Sequence, residues 1–134
     1  APKFHIGLNE AKFGLIAPTW FAQNMVNIIG HRQADKLMSR GLLLEAEEAC
    51  KIGLVDEVVG EGGVMAAAEQ ELLDMISVSD QARAMTKAAL RFDTTAQLKR
   101  MKEEDQAWFV HFITQDQVQA GLNAYIEAIK KKKK

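Results

Sequence analysis

The feature that most constrains this chain is its surplus of helical periodicity over strand: about seven amphipathic helices can be read along it, against two short strand-like runs. Residues 4–8 alternate apolar and polar, with Phe4, Ile6 and Leu8 on one face. Residues 54–59 are Val-rich and run into Gly60, Gly62 and Gly63, the mark of a strand followed by a turn. Two isolated strands cannot make a stable sheet. Either they are minor features of a helical domain, or the sheet they belong to lies in sequence outside these residues.

The helices carry their own start and stop signals. Pro18 suits the first turn of a helix running to about Ile29, with Phe21, Met25, Ile28 and Ile29 as its apolar stripe and Gly30 as an interruption. A second helix spans 31–40, burying Ala34, Leu37 and Met38, and Gly41 is placed to terminate it. A short third helix over 45–51 begins with acidic residues that complement its dipole and stops at Gly53. Residues 64–76 form a fourth. Ser79 caps a fifth, over 80–91, and capping boxes at Thr94/Gln97 and Thr114/Gln117 open two more. The sixth carries the stripe Leu98, Met101, Trp108, Phe109 and Phe112, and the last carries Val118, Leu122, Tyr125, Ile126 and Ile129.

Composition excludes several classes. With 134 residues, 48% hydrophobic and 26% charged, the chain is long enough to bury a core and is neither disordered nor collagenous. The one cysteine, Cys50, cannot form an internal disulfide, which favours a reducing compartment. No apolar run approaches the roughly 20 residues of a spanning helix, so no membrane span is expected. The net charge of -1 conceals an acidic body, because five of the 17 basic residues are the terminal lysines 130–134. Such a body argues against nucleic-acid binding, which needs a basic face. The lysine tail reads as a solvated end or a phosphate contact. The chain starts at Ala1 without a charged-then-apolar leader, as a processed chain or a fragment does.

Most candidate chemistry is weak. Gly60-Glu61-Gly62-Gly63 follows the second strand-like run, but it lacks the third glycine of a dinucleotide turn and Glu61 puts negative charge where a pyrophosphate would sit. His5, His31 and His111 have no second ligand at metal spacing, so no metal site is expected. Cys50, expected on a buried helix face, has no neighbouring base, and Ser39, Ser77 and Ser79 lack a nucleophile elbow. Glu10 differs in kind. It follows an apolar strand and precedes Ala11, Phe13, Leu15, Ile16 and Trp20, so it reads either as a surface glutamate at a strand end or as a general base in apolar surroundings.

Ile6-Gly7-Leu8-Asn9-Glu10, then Phe13-Gly14-Leu15-Ile16-Ala17-Pro18 and Trp20, resemble the catalytic segment of the crotonase (enoyl-CoA hydratase/isomerase) superfamily, in the branch that isomerises enoyl-CoA double bonds. Further segments agree in order: Gly41-Leu42-Leu43-Leu44 with Ala46 and Ala49, Gly53-Leu54-Val55-Asp56-Glu57-Val58-Val59, Thr86-Lys87, and Phe112-Ile113-Thr114-Gln115-Asp116 through Tyr125.

This resemblance implies an α/β crotonase (ClpP-like spiral) fold, of which the chain covers the mainly helical C-terminal half with one or two short strands. Residues 1–79 would be the part of the core carrying the catalytic glutamate, and 80–134 a helical oligomerisation region of a homotrimer. The implied reaction moves the double bond of a 3-enoyl-CoA to the 2-trans position in fatty acid β-oxidation, in the mitochondrial matrix. The CoA thioester is the substrate and no cofactor is implied. Glu10 matches the carboxylate that takes a proton from C2 and returns it at C4; Asn9 would line the acyl pocket, and Trp20 with Phe21 would add apolar wall. The oxyanion hole belongs to the other half in this family, and losing one such donor costs about 3–4 kcal/mol, so activity is expected to depend on that half. The lysine tail falls where relatives bring basic residues near the CoA phosphates. Thr19 stands where a bulkier aromatic is expected. Two other functions remain open: a hydratase of the same superfamily, which uses a second carboxylate, and a non-catalytic assembly module whose Trp108, Phe109, Phe112 and Tyr125 bind sister subunits.

Overall fold

The computed structural model describes residues 4–132. Its elements in chain order are β1 (His5–Ile6), a 3₁₀ turn (Glu10–Phe13), α1 (Thr19–Ile29), α2 (His31–Met38), β2 (Leu44–Glu45), α3 (Ala46–Lys51), α4 (Val64–Ile76), α5 (Asp80–Leu90), α6 (Phe92–Ile113) and α7 (Asp116–Lys132). β1 pairs antiparallel with β2, His5 opposite Glu45 and Ile6 opposite Leu44.

The first expected strand therefore forms where the alternation placed it, shortened to two residues. The second does not form at 54–59, which run as bends and irregular coil. Their β-branched side chains favour an extended backbone, but a strand exists only when its N–H and C=O groups meet a neighbouring strand, and among the described residues no strand pairs with them. The partner of β1 is instead Leu44–Glu45, directly ahead of α3.

Glycine stops act as expected. At the end of α2, the Gly41 N–H bonds the Met38 carbonyl (3.1 Å) and the Leu42 N–H bonds the Leu37 carbonyl (2.8 Å), with Gly41 at φ +56°. This is a Schellman ending, which needs the left-handed conformation that glycine adopts without steric penalty. The same pair of bonds closes α3 at Gly53 and Leu54. Ser79 caps α5, its hydroxyl accepting from the Ala82 N–H at 3.3 Å. Pro18 stands just ahead of α1, in the N-cap position and not inside the first turn.

The two capping boxes are not made. α6 begins at Phe92, and the Thr94 hydroxyl accepts instead from the Asn27 side chain of α1 at 3.2 Å. Thr114 ends α6, donating back to the carbonyls of Val110 and His111, and the Gln115 carbonyl opens α7. In both cases a hydroxyl free to cap found a nearer or tertiary acceptor or donor.

Among the described residues the buried apolar side chains are Met25, Ala34, Leu37, Ala49 and Val118. That is a smaller core than the composition led one to expect. It lies where α1 packs on α2, with α3 against the β pair and α7 against the 3₁₀ turn. α4 follows its expected boundaries, yet Val64, Met65, Leu72, Leu73, Met75 and Ile76 on it are at least half exposed. A helix with apolar residues on several sides and no packed neighbour has no second surface among these residues on which to bury them. Cys50 is half-buried, not enclosed, and its thiol faces the Asp56 carbonyl at 3.7 Å.

Candidate active site

Glu10 opens the 3₁₀ turn, separated from the end of β1 by Gly7, Leu8 and Asn9. The turn is closed by the Lys12 N–H to the Asn9 carbonyl (3.0 Å) and the Leu15 N–H to the Glu10 carbonyl (3.1 Å). Beneath it lies the Schellman glycine of α2. A Cβ built on Gly41 would fall 3.0 Å from the Asn9 carbonyl oxygen and 3.0 Å from the Lys12 nitrogen, so the chain after α2 touches the backbone of the turn itself. On another side stands α7, where Gly121 approaches the Phe13 carbonyl and the Tyr125 ring lies on Phe13 with centroids 3.9 Å apart.

Glu10 is half-buried, and its Oε2 is shielded from solvent with no hydrogen-bond partner. Leaving a buried polar atom unsatisfied costs about 1–3 kcal/mol, and such atoms are rare enough in folded proteins to call for a reason. A carboxylate oxygen that no protein donor occupies remains available to take a proton from a bound molecule. Of the residues expected around it, Phe13, Leu15 and Ile16 are half-buried, whereas Ala11 is exposed.

Asn9, also half-buried, precedes the turn and contributes the backbone carbonyl that closes it. Trp20 is placed elsewhere. It is 47% exposed, stacks obliquely on Phe21 with centroids 3.8 Å apart, and lines a groove of about 490 Å³ with Pro18, Leu98, Lys102, Asp105, Gln106 and Phe109. Neither Glu10 nor Asn9 lines that groove, so Glu10 and Asn9 come together and Trp20 forms a separate wall between α1 and α6. Thr19 has its own tertiary role, its hydroxyl donating to the Asp105 carboxylate of α6. With the Asn27–Thr94 bond, this ties α1 antiparallel along α6 at both ends.

Gly60–Gly63 is a turn leading into α4, closed by the Gly63 N–H to the Gly60 carbonyl (3.0 Å). Among the described residues no cluster of His, Cys, Asp and Glu could hold a metal ion, and no helix is long and apolar enough to cross a membrane. Of the lysine tail, Lys130 bonds Glu127 at 2.8 Å, while Lys133 and Lys134 lie outside the described residues. Sequence reasoning missed the Phe13–Tyr125 pair. Both residues stood out as apolar positions, but nothing local to either one signals the other.

A helical chain with one short antiparallel pair and a shielded glutamate at a strand-to-turn junction fits the family to which it proves similar. The chain belongs to the enoyl-CoA hydratase/isomerase family, whose description matches residues 1–134. It is 40% identical over 132 residues to enoyl-CoA delta isomerase 1, mitochondrial, of Mus musculus, covering 98% of this chain and 46% of that protein. The Homo sapiens counterpart is 39% identical over 132 residues, 98% and 44% respectively. The crystal structure of human mitochondrial delta3-delta2-enoyl-CoA isomerase superposes with a TM-score of 0.94 at 38% identity, over 100% of this chain and 52% of that one. An enoyl-CoA hydratase/isomerase from Pseudoalteromonas atlantica, 18% identical with a TM-score of 0.76, shares the fold. The chain thus carries the mainly helical part of the crotonase fold, and it spans about half the length of the relatives it matches.

Proposed function

We propose that this chain is the glutamate-bearing part of an enoyl-CoA isomerase that converts 3-enoyl-CoA to 2-trans-enoyl-CoA in fatty acid β-oxidation. The observation that carries the reading is Glu10 Oε2, shielded from water and without a hydrogen-bond partner on a turn clamped from two sides. The names of the similar proteins supply the substrate class.

In this reading Glu10 takes a proton from C2 of the acyl thioester, and the electron pair delocalises into a dienolate whose charge rests on the thioester oxygen. The same carboxyl then gives its proton to C4, and the double bond settles between C2 and C3. One group serves as base and then acid, which such a group contributes at about 10²–10⁴-fold. Stabilising the oxyanion falls to backbone donors in the half of the fold that this chain does not span. Asn9, beside Glu10 on the turn, borders the acyl chain. Residues 1–79 form the core part carrying Glu10, and 80–134 the helical region that assembles a homotrimer. The names of the relatives support a mitochondrial location, and within it the matrix is proposed.

The test is isotopic and uses a chimera in which this chain replaces the matching part of the human isomerase. A 3-enoyl-CoA deuterated at C2 is converted in ordinary water, and part of the label is expected at C4. Isomerisation that is unchanged in Glu10→Gln refutes a shuttle by this carboxylate, and conversion of 2-trans-enoyl-CoA to a 3-hydroxyacyl product without isomerisation of the 3-enoyl substrate assigns the site to the hydratases.

A further inference from the structure

We propose that Tyr125, on α7, is a positioning residue for Glu10, acting through Phe13; the inference rests on the reading of Glu10 as the proton shuttle. In a 3₁₀ helix, side chains three residues apart eclipse one another. Glu10 and Phe13 are the first and last residues of the same four-residue turn, so they project on one side of it. Whatever fixes the Phe13 ring therefore fixes the rotation of the turn about its axis, and with it the direction in which the Glu10 carboxylate points.

Backbone bonds close the turn and Gly41 packs beneath it, but neither holds its side chains. Asn9 offers no side-chain cap to it, and the Glu10 Oε2 atom is anchored by no hydrogen bond. The restraint on the Phe13 side chain comes from α7. Gly121 and Tyr125 are four residues apart and share a face of that helix. Without a side chain at 121, the helix backbone comes close enough that a Cβ there would sit 3.4 Å from the Phe13 carbonyl oxygen. One turn further on, the Tyr125 ring meets Phe13 at 3.9 Å between centroids, tilted by 39°. The Tyr125 hydroxyl makes no hydrogen bond among the described residues, so the ring alone provides the contact.

The Glu10 carboxyl carbon, labelled with ¹³C, reports this in the full chain, its resonance assigned by its loss in Glu10→Gln. Tyr125→Phe keeps the ring, and the resonance is expected to stay in place; Tyr125→Ala removes the ring, and the resonance is expected to move while circular dichroism holds constant. In the chimera with the human isomerase, Tyr125→Ala is expected to lower kcat about 10- to 100-fold with KM nearly unchanged, the scale of a base displaced by about an ångström, and Tyr125→Phe to restore the parent value. A Tyr125→Ala resonance identical to the parent's overturns the proposal, as does a kcat loss that only follows the loss of folded protein. If the chimera with Tyr125 intact does not turn over, the isomerase reading fails, and the ¹³C comparison still decides whether Tyr125 directs Glu10.

Discussion

Replacing Gly41 by alanine should destabilise the chain far more than the same change at Gly53, although the two glycines end their helices in the same way. Both hold a left-handed conformation, φ +56° and +75°, and both close a Schellman motif. Forcing an alanine into that conformation costs about 1–2 kcal/mol at either site. At Gly53 nothing lies within 4 Å of the added methyl group, so that is the whole cost. At Gly41 the methyl group would stand 2.8 Å from Lys12 Cγ and 3.0 Å from two backbone atoms of the turn carrying Glu10. The Lys12 side chain can swing away, but the backbone atoms cannot, and overpacking of this kind adds about 1–3 kcal/mol. Gly41→Ala should therefore lose about 2–5 kcal/mol. In urea, with a slope of about 2 kcal/mol per molar, the midpoint falls by about 1–2.5 M, against about 0.5–1 M for Gly53→Ala. Equal shifts at unchanged slope would mean that Gly41 does not bear on the Glu10 turn.

Other perturbations separate buried from exposed features. Leu37, 3% exposed between α1 and α2, should cost about 2–5 kcal/mol as Leu37→Ala, whereas Leu90→Ala, at an 82% exposed site, should stay within about 0.5 kcal/mol; thermal or urea unfolding reads both. Ser79→Ala removes the acceptor for the Ala82 N–H and should weaken α5 by about 1 kcal/mol, seen as faster amide exchange confined to the first turn of that helix.

Much of the fold was legible because helices announce themselves locally. The spacing over 64–76 and the punctuation by Gly41 and Gly53 act within a few residues, and the structure follows them. The misread elements share a cause. Val55, Val58 and Val59 favour an extended backbone but could not bring a partner strand. Thr94 and Thr114 carry hydroxyls suited to capping, but the first meets Asn27 across 67 residues of sequence and the second turns back on its own helix. The site divides the same way. Glu10 stood out by its place after an apolar strand, and the family resemblance gave it a role. Its surroundings depend on Gly41, Gly121 and Tyr125, whose proximity is a property of the packed chain. Trp20 shows the converse: close to Glu10 in sequence, it is carried by α1 into a different groove.

The role of Glu10 is tested by the rate at which the chimera converts 3-cis-enoyl-CoA to the 2-trans product, compared with its Glu10→Gln form. Glutamine preserves shape and removes the base, so a loss of about 10²–10⁴-fold is expected with unfolding behaviour unchanged. A glutamine variant that turns over at the parent rate would contradict that role.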